Sequence, residues 1–243
     1  PRKKSGKTRA SGNRMGGRRI DANSTGITME ANFWHDRWTL NELGWHEREF
    51  NVLLTNNFHR LGLAAGSRVF VPLCGKTRDI AWLLSAGYKV AGAELSELAI
   101  TQLFDELGVQ PVVSASGNLK CFQAPGLDIF TGDIFELGSE MLGKIDATYD
   151  RAALVALPPA MRVRYTAHLR TLTNTAPQLL ICFEYDQNKM AGPPHSVPAK
   201  EVWTHYSPSY RLELAEAREV AGGLRGATPA DELVWLLQPL AAR

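Results

Sequence analysis

The sequence predicts an α/β fold with a doubly wound, mostly parallel sheet of seven strands. The last two of these seven strands are expected to form an antiparallel pair at the C-terminal edge of the sheet. Three observations support this prediction. Short apolar segments alternate with segments of helical spacing, as in parallel strands joined by helices. Residues 179–183 are apolar throughout, which is typical of a central parallel strand. The last two apolar segments are joined by a glycine-rich turn, which favours an antiparallel pair.

The predicted elements begin with two helical segments. Residues 32–42 carry aromatic and apolar side chains at helical spacing, and residues 49–61 form an amphipathic pattern. Pro158 and Pro159 suit the first turn of a helix that we expect to end near Leu172. The other predicted elements are strands at 68–72, 88–93, 128–131, 145–149, 178–184, 211–220 and 232–240, and helices at 77–86, 96–107 and 198–206.

Length and composition limit the class of protein. A chain of 243 residues with 44% hydrophobic content suits one domain, which we expect to span residues 29–243. No apolar run approaches the roughly 20 residues of a membrane span. The three cysteines are far apart, so we expect neither a disulfide framework nor a metal site. A cytoplasmic monomer without a membrane partner is the expectation.

The basic charge of the chain is concentrated in residues 1–28. This segment holds eight Lys or Arg and one Asp, a formal charge of +7; because the whole chain carries +2, the remainder carries −5. The segment is poor in large apolar residues, so we expect a disordered extension that is tag-derived or upstream sequence. A nucleic-acid-binding arm is the alternative. Since the segment has no aromatic residue for base stacking, we expect no nucleic-acid partner.

The stretch from Arg68 to Asp79 is the most informative about function. It has the pattern of an apolar strand, a turn that holds Pro72 and Gly75, and the start of a helix. Glu94 ends the next apolar segment, about 20 residues after Gly75, and this arrangement is typical of a site for a nucleotide ribose. The turn has one glycine where the dinucleotide fingerprint has three. A nicotinamide-dependent oxidoreductase, the alternative function, is therefore less favoured.

Polar residues recur where successive predicted strands end. In an open α/β sheet the ligand lies outside the carboxyl ends of the strands. Glu94 suits the ribose hydroxyls, and Asp133, or the backbone beside it, suits the amino edge of an adenine. For each acid the alternative is an N-cap of the helix that follows.

Five motifs occur along the chain: Phe33-Trp-His-Asp-Arg-Trp38, Val71-Pro-Leu-Cys-Gly-Lys76, Glu94-Leu-Ser-Glu97, Tyr149-Asp-Arg-Ala-Ala-Leu154 followed by Leu157-Pro158-Pro159, and Glu184-Tyr-Asp-Gln187 followed by Gly192-Pro-Pro194. From about residue 32 onward the chain resembles the thiopurine S-methyltransferase family in its bacterial form. The resemblance implies a class I, Rossmann-like methyltransferase. It also implies S-adenosylmethionine as cofactor, with S-adenosylhomocysteine as product. The implied substrates are thiopurines, other aromatic or heterocyclic thiols, and selenium or tellurium compounds, methylated in detoxification.

The resemblance also implies a cofactor site built from several strand ends. Aromatic faces attract a sulfonium, which makes Trp38 a candidate, whereas Trp34 is assigned to helix packing. The residues implied at the cofactor site are Trp38, Leu73, Gly75, Glu94, Asp133, Ile134 and Arg151.

Methyl transfer is an in-line displacement, so catalysis depends mainly on holding the reacting atoms in line. Arg151 and Asp150 are the candidate catalytic residues. Arg151 is expected to stabilise an anionic acceptor, with a structural ion pair as the alternative, and Asp150 to orient Arg151 or a water molecule. Trp45 and His46 are expected near the acceptor, where His46 is a candidate for proton removal.

Overall fold

The computed structural model describes residues 32–40 and 49–241. The predicted basic extension at 1–28, together with Trp45 and His46, lies outside these residues. The strands are β1 Arg68–Pro72, β2 Lys89–Glu94, β3 Val112–Ser116, β4 Leu119–Ala124, β5 Leu127–Thr131, β6 Ala147–Arg151, β7 Gln178–Tyr185, β8 Tyr210–Glu219 and β9 Ala230–Pro239. The helices are α1 at 32–39, α2 Val52–Asn57, α3 Asp79–Ser85, α4 Glu97–Leu107, α5 Ser139–Leu142, α6 Pro159–Leu172 and α7 Ala199–Tyr206.

The described strands form one sheet in the order β3-β4-β5-β2-β1-β6-β7-β9-β8. Strand β1 pairs in parallel with β2 on one side and with β6 on the other, so the chain winds outward from β1 in both directions. Apolar side chains of α2, α3 and α4 pack on one face, and those of α5, α6 and α7 pack on the other. The doubly wound, mostly parallel sheet and the antiparallel β8–β9 edge are confirmed.

The predicted number of strands was wrong, because the described sheet has nine strands instead of seven. The missing pair is the hairpin of β3 and β4, which pairs antiparallel with β5. Strand β3 lies at the sheet edge, and its Val112 and Val113 are exposed. Backbone pairing holds this strand in place, so it lacks the buried apolar pattern that reveals a strand in a sequence.

The predicted helix at 49–61 is shorter than expected: the Asn51 side chain caps α2 by accepting hydrogen bonds from the Leu53 and Leu54 amides, and a 3₁₀ turn follows at Phe58–Leu61. No helix among the described residues has both the length and the apolar composition needed to cross a bilayer.

Candidate functional site

A cavity of about 920 Å³ lies where the parallel strands end. We call one side of the cavity the nucleotide side. It is lined by residues of α1 and by residues at or just after the ends of β1, β2 and β5. The far side is lined by residues of β6, β7, β8 and β9 and of the segments beside them. Every described residue predicted for the cofactor lines this cavity: Trp38, Leu73, Gly75, Glu94, Asp133, Ile134 and Arg151.

The loop after β1 approaches the cavity in a backbone conformation that few residues adopt. Leu73 and Gly75 have φ values of 45° and 51°, in the left-handed region. A Cβ added at Gly75 would lie 3.1 Å from Cζ2 of Trp38, so the glycine lets the indole of α1 close over the loop. Trp34 also lines the cavity, and its assignment to helix packing alone was incomplete.

Glu94 joins the loops that follow β1 and β2. Its Oε2 accepts a hydrogen bond of 2.8 Å from the Gly75 amide, and its Oε1 accepts one of 2.9 Å from the Ser96 amide. Burial raises the pKa of Glu94 above its ordinary value, although these amide hydrogen bonds act in the opposite direction. A carboxylate offers about four acceptor positions. The acceptor positions that the backbone amides leave open remain for the hydroxyls of a ribose.

The loop after β5 forms the end of the nucleotide side. Asp133 Oδ1 accepts a hydrogen bond of 2.9 Å from the Phe135 amide, so the N-cap alternative describes a real contact, and Asp133 also lines the cavity. A Cβ at Gly132 would lie 2.4 Å from a methyl carbon of Leu119, because β4 packs closely there. The hairpin that the sequence did not reveal therefore supports this wall. On the other side, His168 of α6 contacts the Ile134 carbonyl oxygen at 2.8 Å.

Arg151 ends β6 between the two sides of the cavity. Its Nη1 lies 3.8 Å from Oδ2 of Asp79. The same Oδ2 accepts a hydrogen bond of 2.9 Å from the Tyr149 hydroxyl, and Oδ1 accepts one of 2.7 Å from the backbone N–H of Asn51. Asp79 is buried and lines the cavity, and the sequence interpretation missed its role. The available signal was its position as the first residue of the helix after the glycine turn. The arginine thus lines the cavity and also has an acidic neighbour.

Asp150 does not lie among the cavity-lining residues. Its Oδ1 accepts from the Leu154 amide at 3.1 Å, and its Oδ2 accepts from the Tyr165 hydroxyl at 2.7 Å. These bonds hold the turn after β6, in which Ala152 has a φ of 62°. The geometry therefore indicates that Asp150 fixes the turn after β6. The acidic group beside Arg151 is Asp79, in the place that the sequence suggested for Asp150.

Comparison with known proteins identifies the family. Residues 29–235 match the family model described as thiopurine S-methyltransferase. A thiopurine S-methyltransferase of Xanthobacter autotrophicus is 57% identical over 211 residues, which cover 86% of this chain and 99% of that protein. One from Teredinibacter turnerae is 50% identical over 209 residues, covering 86% and 97%. The chain belongs to the thiopurine S-methyltransferase family.

Solved structures agree on the fold. A 1,6-didemethyltoxoflavin-N1-methyltransferase of Burkholderia thailandensis, with 1,6-didemethyltoxoflavin and S-adenosylhomocysteine bound, aligns with a TM-score of 0.61 at 14% identity. The alignment covers 89% of this chain and 90% of that one. A magnesium protoporphyrin IX methyltransferase of Synechocystis, with S-adenosylhomocysteine bound, gives 0.56 at 16% identity, covering 87% and 99%. The protein is a class I methyltransferase, and S-adenosylmethionine is its methyl donor.

The far side of the methyltransferase cavity is mostly apolar. The sequence motifs include Leu157 and the Gly-Pro-Pro loop of this wall, whereas its other members come from segments that are distant in the chain. The apolar residues that line it include Val155, Leu157, Met161, Phe183, Pro193 and Pro194. Among the residues the structure describes, no group of three or more His, Cys, Asp or Glu is placed to hold a metal ion.

A buried arginine holds two segments of this wall together. Arg162 is 1% exposed, and it donates from Nε to the Leu157 carbonyl at 2.8 Å and from Nη1 to the Ser196 carbonyl at 3.1 Å. Its charge is paired with Glu201, at 2.8 Å. A backbone hydrogen bond of 2.7 Å from the amide of His195 to the carbonyl of residue 155 adds a second link. The wall is therefore set by contacts between α6, α7 and two loops.

Replacing Gly75 by alanine is expected to weaken binding of S-adenosylmethionine roughly tenfold, the effect of about one lost hydrogen bond. The new methyl group would displace Trp38 and disturb the Gly75 amide that donates to Glu94. Titration calorimetry measures the affinity. Gly66→Ala is the control, because Gly66 has a φ of 77° but no atom near its added Cβ. Both variants carry the backbone strain, at a cost of about 1 kcal/mol. Equal affinities in the two variants would contradict the predicted role of the loop.

Replacing Asp150 by asparagine is expected to change how stability depends on pH. Burial raises the pKa of Asp150 to about 6, so between about pH 4 and 6 the folded protein holds a proton that the unfolded chain releases. The contribution of Asp150 to the free energy of unfolding of the wild type therefore falls as pH rises through that range. Relative to the Asn variant, the wild-type free energy of unfolding should be about 1 kcal/mol higher at pH 5 than at pH 7, as measured by urea denaturation.

Asp146→Asn is the control for this measurement. Hydrogen bonds from Lys144 and from the Arg68 amide lower the pKa of Asp146, so it titrates below pH 4 in both states. Its variant should differ from the wild type equally at pH 5 and pH 7. The same pH response in both variants would show that the effect does not come from the carboxyl group of Asp150.

Proposed function

We propose that this methyltransferase methylates the sulfur of thiopurines and of other aromatic or heterocyclic thiols. The observation that carries the proposal is the composition of the cavity between its two sides. Arg151 stands at the boundary, and beyond it the wall is formed mainly by apolar side chains such as Leu157, Met161 and Phe183. An apolar wall suits a flat ring, and a guanidinium at its edge suits the negative charge of a thiolate.

The residues of the nucleotide side fit the adenosyl group. Glu94 has acceptor positions for the ribose hydroxyls, and the absence of a Cβ at Gly75 lets the Trp38 indole lie close to the loop that follows β1. The backbone of Asp133 and Ile134 lines the end where an adenine would lie. When bound, S-adenosylmethionine supplies a methyl group on a positively charged sulfur.

The chain contributes orientation and charge to the reaction. Trp38 presents an aromatic ring to the cavity, where attraction to a nearby cation is worth roughly 0.5–2 kcal/mol. Arg151, held beside Asp79, would fix the acceptor anion. An aromatic thiol on an electron-poor ring ionises readily, so positioning of the anion replaces strong base catalysis. A nicotinamide-dependent oxidoreductase is disfavoured, because the β1 loop has bulky Leu73 and Lys76 beside its one glycine.

A screen of methyl acceptors with radiolabelled S-adenosylmethionine tests the proposal. The panel pairs a thiopurine with its oxygen analogue and benzenethiol with phenol, and adds selenium and tellurium acceptors. Labelled methyl should appear on the sulfur compounds and not on the matched oxygen compounds. Transfer to oxygen at an equal rate, or to none of the sulfur acceptors, would overturn the proposal. Labelling of the selenium or tellurium compounds alone would move the substrate class to those elements.

A further inference from the structure

Three paired side chains cross the sheet on the far side of the cavity. Phe183 of β7 is in register with Glu232 of β9, and Glu232 is in register with Arg218 of β8. Side chains paired in this way lie on the same face of a sheet. All three line the cavity, so an aromatic ring, a carboxylate and a guanidinium form one continuous strip of its wall.

The position of this strip in the sheet separates it from the nucleotide side. In the order β2-β1-β6-β7-β9, the strand of Glu232 is four steps from the strand of Glu94. Neighbouring strands are about 4.8 Å apart, so these two strands are separated by roughly 19 Å. Arg151 of β6 lies between them. A ligand that reaches the strip is therefore the methyl acceptor and not the ribose of the cofactor.

Glu232 has one carboxylate oxygen engaged and one available. The residue is only 7% exposed, although it lines a cavity. Arg218 donates to Oε2 from Nε at 3.1 Å and from Nη2 at 2.7 Å. Within the part of the chain that the structure describes, no hydrogen bond is donated to Oε1. A carboxylate accepts hydrogen bonds and donates none when ionised, so it favours a ligand that offers an N–H group.

We infer that Glu232, held in place by Arg218, determines acceptor specificity by accepting a hydrogen bond from the ring N–H of a heterocyclic thione. The inference rests on the proposed function and narrows its substrate class. A neutral heterocyclic thione carries an N–H beside its C=S group, and a hydrogen bond from that N–H to a carboxylate raises the electron density on the sulfur. As the new S–CH3 bond forms and the bond from the cofactor sulfur to the methyl group breaks, the ring nitrogen would become cationic, and transfer of its proton to Glu232 leaves a neutral S-methyl product. Phe183 lies next to Glu232 on the strip and offers an apolar face for the ring.

Two acceptors of equal ring size test the inference. The compound 2-thiopyridone has the N–H group, and benzenethiol lacks it. The measured quantity is the ratio of kcat/KM for 2-thiopyridone to kcat/KM for benzenethiol. Glu232→Gln keeps the size of the side chain but removes its charge, and we expect the ratio to fall about tenfold or more. A purely structural ion pair would change both acceptors by the same factor.

The matched control is Glu216→Gln. Glu216 lies on the same face of the edge pair and accepts a hydrogen bond of 2.7 Å from the Asn57 side chain, but it does not line the cavity. Its variant removes an equivalent charge, and the acceptor ratio should stay at the wild-type value. Thermal melting of both variants checks that each is folded.

A binding measurement separates this inference from the proposed function. Each acceptor is titrated calorimetrically into protein saturated with S-adenosylhomocysteine, which cannot transfer a methyl group. If the wild type methylates neither acceptor, the proposed function fails; tighter binding of 2-thiopyridone to the wild type than to Glu232→Gln would still support the inference. The inference is overturned if Glu232→Gln weakens the binding of both acceptors by the same factor. It is also overturned if 2-thiopyridone does not bind to the wild type.

Discussion

Replacing Glu94 by alanine is expected to weaken S-adenosylmethionine binding by at least about 30-fold. Hydrogen bonds to a charged acceptor are worth about 1.5–3 kcal/mol each, and the proposed site uses two ribose hydroxyls, so a loss of about 2–4 kcal/mol is expected. The structure adds a second cost. The amides of Gly75 and Ser96 lose their acceptor in the variant, which loosens both loops of the nucleotide side.

Calorimetric titration with S-adenosylmethionine and S-adenosylhomocysteine measures this effect. Glu97→Ala is the matched control, because Glu97 lies three residues further on and its carboxylate pairs with Lys120 on the surface. That variant should bind the cofactor as the wild type does. A folded Glu94→Ala protein with unchanged affinity would refute the assignment of Glu94 to the ribose.

The ionisation of Glu94 gives the same experiment a dependence on pH. Burial raises the pKa of this carboxyl group, so it becomes protonated at a higher pH than an exposed glutamate does. The protonated form loses acceptor capacity. Wild-type affinity for S-adenosylmethionine should therefore fall as pH is lowered through this raised pKa. Glu94→Gln, which does not titrate, should lack that component.

Replacing Arg151 by alanine is expected to lower kcat/KM for an anionic thiol by roughly 10²-fold. The guanidinium lies at the junction of the two sides of the cavity, with Nη1 3.8 Å from Oδ2 of Asp79. One preorganised electrostatic group contributes a factor of this size. Arg151→Lys should recover only part of the loss, since an ammonium lacks the planar, paired donors of arginine.

The comparison requires an acceptor that is ionised at the assay pH, with folding checked by thermal melting. Arg211→Ala is the control, because Arg211 is an exposed residue of β8 that does not line the cavity. If both Arg151 variants keep wild-type kinetics, the contact with Asp79 is purely structural. The acceptor would then be sought at the strip formed by Phe183, Glu232 and Arg218.

The sequence alone determined the central part of the fold and the nucleotide side. Strands β1 and β2, the turn at Gly75 and the position of Glu94 are local features, because each depends on residues that are neighbours in the chain. Their pattern follows from side-chain period and backbone freedom, which a sequence displays directly. Parallel strands then place their carboxyl ends at one edge of the sheet, so the predicted residues that follow β1, β2, β5 and β6 meet in one cavity.

Only the tertiary structure decided the remaining contacts. Asp79 is the acidic neighbour of Arg151, yet the two residues are far apart in the chain, and the adjacent Asp150 faces Tyr165 instead. The strip of Phe183, Glu232 and Arg218 exists because β7, β9 and β8 pair in one register. Each of these contacts depends on strand order and on which face a side chain occupies. The local sequence around a residue records neither the strand order nor the face that its side chain occupies. Both result from packing of the whole chain, which brings distant segments together.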